Sequence, residues 1–250
     1  MAEPRGSAMF EASGAHALSP SVFNRDEAPQ DSSVVSLRST DTTPMRTVVR
    51  PTSLYANVVK PAIDRCAGVA GLIVGAIPIA VIGGVILATM GRPILFRQRR
   101  IGLDGEVFEV LKFRTMRPDR RGVPLDVIHD RRETHKSDHD PRHTRIGRFL
   151  RTYSLDELPQ LINVARGEMS IVGPRPELES VLDKYRPGLD QRHFVKPGLT
   201  GLWQISARGD GPMHENGEWD LDYVEQVSPL TDLRIIMNTP AAMFGDKTGS

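Results

Sequence analysis

The longest apolar stretch of the chain covers residues 66–91 and contains no charged side chain. A helix of about 20 apolar residues crosses the hydrocarbon core of a bilayer, so this stretch is long enough to enter a membrane. Pro78 lies near its middle, where a proline ring clashes with the preceding helical turn and the missing N–H removes a hydrogen bond. The pattern therefore predicts a membrane helix with a break near Pro78.

Basic residues flank both ends of this stretch. Lys60 and Arg65 come before it, and Arg92, Arg97 and Arg99 come after it. Because Lys and Arg beside membrane helices favour the cytoplasmic side, both ends are predicted to face the cytoplasm, as in a re-entrant helix. A straight transmembrane helix is an equal alternative, because membrane helices tolerate proline. A buried helix of a soluble core is the third alternative, and the length of the stretch argues against it.

Shorter patterns predict the elements of a mixed body. Residues 107–113 alternate well enough for a β-strand, and Asp104-Gly105 predicts a hairpin turn before it. Four residues at the spacing of one helix face predict an amphipathic helix within residues 140–153. They are Ile146, Phe149, Leu150 and Tyr153. Because its opposite face is basic, this helix can lie in a membrane interface, and it can equally pack on the protein core.

Two adjacent carboxylates, Asp156 and Glu157, follow that helix in the segment SLDELPQ at 154–160. Like charges side by side repel each other, so this pair among basic residues indicates a divalent metal or a phosphorylated substrate. Ser154 and Glu157 have the spacing of a capping box, which predicts that a helix begins here. Pro159 moves the predicted start by one or two residues, because proline is tolerated only in the first helical turn.

Arg175 lies between two prolines in the segment GPRP at 173–176. The prolines restrict the backbone and hold the guanidinium, which suits bidentate binding of phosphate. Residues 196–204 predict a glycine-containing turn that leads into a strand. Residues 220–236 predict the last helical region.

Composition adds three constraints. The chain has 250 residues and a formal net charge of +1, but its basic residues crowd between Arg92 and Arg151, which suits phosphates or an anionic membrane surface. The single cysteine, Cys66, excludes an internal disulfide framework. The first fifty residues have no sustained hydrophobic period and no early apolar core of a cleavable signal. They predict a disordered N-terminus that stays in the cytoplasm.

Six motifs occur together between about residues 60 and 239. They are F-x-Q-x-R-x-G at 96–102, K-F-R-[ST]-M at 112–116, D-P-R-x-T-x-x-G-R-x-L-R at 140–151, S-L-D-E-L-P-Q at 154–160, G-P-R-P at 173–176 and K-P-G-[IL]-T-G at 196–201. As a set they resemble the motifs of the bacterial sugar transferases of the monotopic phosphoglycosyl transferase type. Members of that family move a phosphosugar onto a polyprenyl phosphate.

The resemblance implies an α/β (α+β) cytoplasmic catalytic domain with an N-terminal re-entrant membrane helix and amphipathic interfacial helices. It divides the chain into a disordered extension at 1–52, a re-entrant membrane region at 53–95, a catalytic domain at 96–240 and a disordered tail at 241–250. It also implies a monotopic protein on the cytoplasmic face of the inner (plasma) membrane.

The same resemblance implies a Mg²⁺-dependent enzyme of polysaccharide or glycoconjugate assembly. It transfers a sugar 1-phosphate from a UDP-sugar to an undecaprenyl-type polyprenyl phosphate, which gives polyprenyl-diphospho-sugar and UMP. Asp156 is the implied nucleophile, which forms a covalent aspartyl-phosphosugar intermediate, and Glu157 helps to hold the metal. Asp220 is the implied further metal ligand, with Asp222 as the less favoured candidate. The candidates for phosphate contacts are Lys112, Arg114, Arg148 and Arg175.

The chain departs from the family pattern at the proline of the apolar stretch. Ile77 precedes Pro78 where the family often has a serine, so the hydroxyl that satisfies freed backbone groups is missing. We expect that Thr89 or local packing compensates, or that the bend is shallower.

Two other classes of function stay open. A non-catalytic scaffold anchored by one membrane span is the first, and a basic nucleic-acid-binding protein is the second. Aromatic residues are sparse among the arginines and nucleic-acid binding leaves the apolar stretch unexplained, so we predict no nucleic-acid partner. The predicted partners are a UDP-sugar, a polyprenyl phosphate and membrane lipid, and the sequence also allows a homodimer.

Overall fold

The computed structural model describes residues 46–117, 142, 144–179, 187–206 and 217–244. A π-helical turn (Tyr55–Val59) leads into two apolar helices, and a mixed body of short helices and two small sheets follows. In chain order the helices and strands are α1 Lys60–Val74, α2 Ala76–Met90, β1 Leu95–Ile101, β2 Val107–Phe113, α3 Arg145–Thr152, α4 Gln160–Arg166, β3 Ser170–Val172, β4 Gly198–Thr200, α5 Leu202–Ser206, α6 Glu218–Glu225 and α7 Pro229–Phe244. Within the described residues, 3₁₀ turns include Leu103–Gly105, Leu155–Glu157 and Leu189–Phe194.

A bend of 62° separates the two apolar helices. It lies at Gly75, between α1 and α2, rather than at Pro78. Pro78 occupies the first turn of α2, where backbone N–H groups have no partner within the helix, so its missing N–H costs no hydrogen bond there. Thr89 donates to the carbonyl of Val85 within its own helix over 2.7 Å. It therefore does not satisfy backbone groups at the bend, which was one of the expected alternatives. Within the described ranges, no single helix is long and apolar enough to cross a membrane. The two helices of the bent pair have that length and hydropathy when they are taken together.

Small residues bring α1 close to α4. A Cβ added at Gly68 would lie 2.7 Å from the backbone nitrogen of Ala165, and one added at Gly71 would lie 3.1 Å from the side chain of Leu161. Such distances leave no room for a side chain at Gly68, because the neighbouring atom belongs to the backbone. Glycine at this position therefore allows α1 to pack directly on the body of the protein.

A buried polar network also connects α1 to the body. Lys60 Nζ lies 2.6 Å from Asp232 Oδ2 on α7, and Tyr223 on α6 donates to Asp232 Oδ1 over 2.7 Å. One turn along α1, Asp64 accepts a 3.0 Å hydrogen bond from the backbone of Ile171 in β3. Lys60, Asp64 and Asp232 are buried. Because a buried charge without a partner is costly, these contacts fix α1 relative to α6, α7 and β3.

The sheets confirm part of the predicted secondary structure. Strands β1 and β2 pair antiparallel with Leu95 opposite Phe113, and the turn between them contains Asp104 (φ 57°) and Gly105 (φ 82°), as an Asp-Gly hairpin requires. Strands β3 and β4 pair parallel. The prediction of a turn followed by a strand within 196–204 is wrong, because β4 occupies Gly198–Thr200 in the predicted turn and α5 begins at Leu202. The helices predicted within 140–153 and 220–236 are confirmed, the first by α3 and the second by α6 and α7.

The described structure extends beyond both ends of the region that the sequence predicts to be ordered, residues 53–240. Val48 is buried with Leu189, Leu221 and Val224, and Arg46 forms ion pairs with three carboxylates of α6. Residues 46–52 therefore do not belong to the predicted disordered extension, and residues 1–45 lie outside the described part of the chain. At the other end, α7 extends to Phe244, four residues into the predicted tail.

We expect Gly68→Ala to destabilise the protein and Gly84→Ala to leave its stability unchanged or slightly higher. Both glycines lie in the apolar helices, but a Cβ at Gly84 has no atom within 4 Å. A forced methyl in a packed contact costs about 1–3 kcal/mol. Thermal unfolding in detergent or nanodiscs measures the difference. Equal melting temperatures for the two variants would contradict the close contact between α1 and α4.

Candidate active site

The carboxylate pair lies on the 3₁₀ turn Leu155–Glu157, not in an α-helix. Ser154 enters this turn in the left-handed region (φ 55°), and its side chain makes no capping hydrogen bond. The predicted capping box is therefore wrong, because a residue in that conformation does not have the extended backbone of an N-cap serine. Helix α4 begins at Gln160 with Pro159 as its N-cap residue, which is later than the predicted shift of one or two residues.

Glu157 joins two cations that come from distant parts of the chain. Its Oε1 lies 2.6 Å from Lys112 Nζ on β2 and 3.2 Å from Arg175 Nη2 on the segment after β3. Burial alone would raise the pKa of Glu157, but the charges and hydrogen bonds of Arg175 and Lys112 lower it below the ordinary value. The carboxylate therefore stays ionised, and it brings two predicted phosphate-contact residues to the carboxylate pair.

Asp156 has a different environment. Partial burial raises the pKa of its carboxyl group, the charges of Lys112 and Arg151 oppose that rise, and the charge of Glu157 adds to it. A carboxylate that is poorly solvated and close to cations can act as a nucleophile toward phosphorus. The sequence places Arg151, in the last turn of α3, on the basic face of that helix. Its position five residues before Asp156 is the only hint in the sequence that the two residues interact. The fold shows that the charge of Arg151 lowers the pKa of that carboxyl group.

Two predicted phosphate-contact residues have other positions. The guanidinium of Arg114 donates to the carbonyls of Met90 (2.5 Å), Gly91 (2.6 Å) and Arg92 (3.0 Å) at the end of α2. These carbonyl groups lack partners within the helix, so Arg114 fixes the end of α2, and its phosphate contact stays a prediction. Arg148 is exposed on α3, and within the described ranges it forms no ion pair with Asp156 or Glu157.

Asp220 is fully buried on α6 and forms an ion pair of 2.7 Å with Arg192. Burial raises the pKa of Asp220 to about 6, although the charge of Arg192 opposes this rise. The alternative ligand, Asp222, pairs instead with Arg46 over 2.7 Å. Among the described residues no group of three or more His, Cys, Asp or Glu side chains could hold a metal ion. The structure therefore does not bring Asp220 or Asp222 into a three-carboxylate set with the pair on the 3₁₀ turn.

Asp156 and Glu157 still fit a magnesium ion. Mg²⁺ is usually held by one or two carboxylates together with water and substrate phosphates, rather than by a complete set of protein ligands. Both cation contacts of Glu157 are at Oε1, so Oε2 is the oxygen that can face a metal. The two neighbouring carboxylates can thus supply the protein's share of such a site.

The cleft around these groups is narrow. Lys112, Glu157 and Arg175 line it together with Arg100 and Gln160. A larger cavity of about 590 Å³ lies at the β1–β2 turn and shares no lining residue with this cleft. We assign the chemistry to the cleft because Glu157 contacts both cations there and is the direct neighbour of Asp156 in the chain, and volume alone does not identify a reaction site.

Comparisons with known proteins give a consistent result. A family model described as "Bacterial sugar transferase" matches residues 55–246. The chain is 44% identical over 156 residues to a UDP-galactose-lipid carrier transferase of Erwinia amylovora. The aligned part is 60% of this chain and 32% of the relative. It is 42% identical over 167 residues to the exopolysaccharide production protein ExoY of Sinorhizobium fredii, which covers 64% of this chain and 74% of the relative.

A third relative is the UDP-glucose:undecaprenyl-phosphate glucose-1-phosphate transferase of Xanthomonas campestris pv. campestris. The identity is 42% over 181 residues, with 68% of this chain and 35% of the relative covered. The aligned part thus spans about a third of the Erwinia and Xanthomonas proteins and about three quarters of ExoY.

Proposed function

This chain belongs to the bacterial sugar transferase family, and on that premise we propose that it transfers a sugar 1-phosphate from a UDP-sugar to a polyprenyl phosphate of the undecaprenyl type. The products are a polyprenyl-diphospho-sugar and UMP. The printed names of the Erwinia and Xanthomonas relatives support the donor and the acceptor. The main structural support is the contact of Glu157 with Lys112 and Arg175 directly beside Asp156.

The proposed reaction has two steps. A carboxylate oxygen of Asp156 attacks the phosphorus that bears the sugar, a new P–O bond forms, and the P–O bond to UMP breaks. A phosphate oxygen of the polyprenyl phosphate then attacks the same phosphorus, and the bond to Asp156 breaks. The second step restores the carboxylate. Dividing the transfer means that the donor diphosphate and the polyprenyl phosphate need not occupy the site in the same step.

The residues around Asp156 support this role. Lys112 and Arg175 are held by Glu157, so their positive charges are in position before a substrate arrives. Fixed positive groups near the reacting phosphorus stabilise the charge that develops on phosphate oxygens in the transition state. Arg151 acts on Asp156 from α3 and favours the ionised, nucleophilic form of that carboxylate.

We also propose that Asp156 and Glu157 hold Mg²⁺ together with the diphosphate of the donor. The ion would supply charge neutralisation on the phosphate oxygens when it is bound. Asp220 is left out of this site, because its carboxylate is paired with Arg192.

A membrane position on the cytoplasmic face of the inner membrane completes the proposal. Around the bend, Ile73, Val74 and Ile77 are 72%, 83% and 77% exposed to solvent. Large exposed apolar patches mark contacts with lipid or protein. We propose that α1 and α2 form a re-entrant helix pair whose bend is inserted in lipid. The aromatic rings of Phe149 and Tyr153, which are exposed on α3 and 4.9 Å apart, would lie at the interface.

Asp156→Asn is expected to abolish UMP release, because an amide is a poor nucleophile toward phosphorus. The assay uses purified protein, a panel of UDP-sugars and a polyprenyl phosphate. Asp104→Asn is the matched control, because Asp104 is an exposed carboxylate on the hairpin turn and asparagine also tolerates its positive φ. Intact-mass measurement of trapped, donor-treated wild-type protein should show the sugar-phosphate adduct. Normal turnover by Asp156→Asn, or product formation without any adduct, would refute the covalent step.

Removal of divalent ions with EDTA should stop UMP release, and added Mg²⁺ should restore it. The expected cause is loss of the charge that the ion supplies to the donor diphosphate. Glu157→Gln should need a higher Mg²⁺ concentration for half-maximal rate than the wild type. Full activity in EDTA would exclude a role for the ion.

The re-entrant topology is testable by cysteine labelling in intact cells. Single cysteines at Val58 and Arg99, in a Cys66→Ser background, flank the bent pair on either side. Both should react with a membrane-impermeant reagent only after the cells are opened. Labelling of one of the two sites in intact cells would indicate a membrane span instead.

A further inference from the structure

The segment that contains Arg175 is held mainly through its backbone carbonyls. Prolines at 174 and 176 supply no N–H groups, so this segment has fewer backbone donors than carbonyl acceptors. At one end, the carbonyl of Pro174 accepts from the backbone of Gly198 over 2.8 Å. At the other end, the carbonyl of Glu177 accepts from the backbone of Ile101 over 3.0 Å. Both outer anchors are backbone groups of β-structure.

The two carbonyls between them are held by arginine side chains. Arg192 Nη2 donates to the carbonyl of Arg175 over 2.6 Å, and Arg100 Nη1 donates to the carbonyl of Pro176 over 3.3 Å. Arg100 and Arg192 are both buried. The backbone of the residue whose guanidinium contacts Glu157 therefore depends on a side chain from the 3₁₀ helix Leu189–Phe194.

Arg192 is in turn held by Asp220. The side chains are each only 1% exposed, and Nη2 lies 2.7 Å from Oδ2. A buried ion pair of this kind often adds little to net stability compared with an apolar pair of similar volume, although loss of one partner is costly. A contribution to net stability therefore explains the presence of this ion pair poorly. The hydrogen bond from Arg192 to the carbonyl of Arg175 explains it better, because it gives the pair a specific structural role.

We infer that Asp220 is a positioning residue for the reaction: it fixes Arg192, which fixes the carbonyl of Arg175 and thereby keeps the Arg175 guanidinium on Glu157. This inference rests on the proposed function and refines it. It assigns Asp220 a role through three successive contacts of 2.7, 2.6 and 3.2 Å. It excludes direct contact of Asp220 with the metal or the donor.

The decisive experiment compares Asp220→Asn in the wild type and in an Arg175→Met background. In the wild type we expect kcat for UMP release to fall by about 10–100-fold, because a misplacement of about 1 Å in a reacting site has effects of that order. In the Arg175→Met background we expect Asp220→Asn to change neither kcat nor the Mg²⁺ concentration at half-maximal rate. Residues that act through one another are non-additive in this way.

Glu225→Gln is the matched control on the same helix. Glu225 is exposed on α6 and pairs with Arg46 over 2.6 Å, away from the Arg192 contact. It should keep the kcat of the wild type. If the wild type and this control both fail to release UMP with any donor, the proposed function fails. If both are active, the assay tests the role of Asp220 alone.

A second variant covers the case in which Asp220→Asn does not fold. The double change Asp220→Leu with Arg192→Met removes both charges and keeps the buried volume similar, so the protein should fold with a near-native melting temperature. Its kcat should fall like that of Asp220→Asn, because the carbonyl of Arg175 loses its donor.

Three results would overturn the inference. The first is an unchanged kcat for the folded Asp220 variants. The second is a further fall in kcat when Asp220→Asn is added to Arg175→Met. The third is a higher Mg²⁺ requirement caused by Asp220→Asn in the Arg175→Met background, which would identify Asp220 as a metal ligand.

Discussion

The contact of Glu157 Oε1 with Lys112 and Arg175 is the interaction on which the candidate site depends. The three residues come from the 3₁₀ turn, from β2 and from the segment after β3, so their meeting fixes three separate parts of the chain. Because the negative charge of Glu157 offsets part of the charge of the two cations, they can stay in a poorly solvated cleft beside Asp156. The same arrangement gives the two carboxylates different roles: Glu157 organises cations, and Asp156 is available to react.

Close packing and buried polar contacts fix the apolar helices relative to the part of the protein that contains this cleft. Gly68 allows α1 to touch the backbone of α4, and Lys60 binds Asp232 on α7. Arg114, which follows β2 directly, holds the carbonyls at the end of α2. The end of α2 is thereby bound by a residue that lies two positions after Lys112 in the chain. These contacts set the distance of Asp156 and Glu157 from the bend, which in the proposed membrane position is also their distance from lipid.

The sequence predicted the elements whose signal is local. An Asp-Gly pair before an alternating segment identified the hairpin, and the spacing of apolar residues identified α3. The capping box at Ser154 was wrong because two residue types at the right spacing do not determine the backbone conformation between them. Arg114 is a phosphate-contact candidate through the family resemblance, and nothing local in the sequence shows that the end of α2 lies within its reach.

The sequence by itself determined that Asp156 and Glu157 form a charged pair among basic residues, that an apolar stretch precedes them, and which family motifs surround them. Only the tertiary structure decided that Glu157 is joined to Lys112 and Arg175, that Arg151 acts on Asp156, and that Asp220 pairs with Arg192. The physical reason is range. Hydrophobic period and turn chemistry depend on neighbours within a few residues, whereas the partner of a buried charge is chosen by packing between segments far apart in the chain.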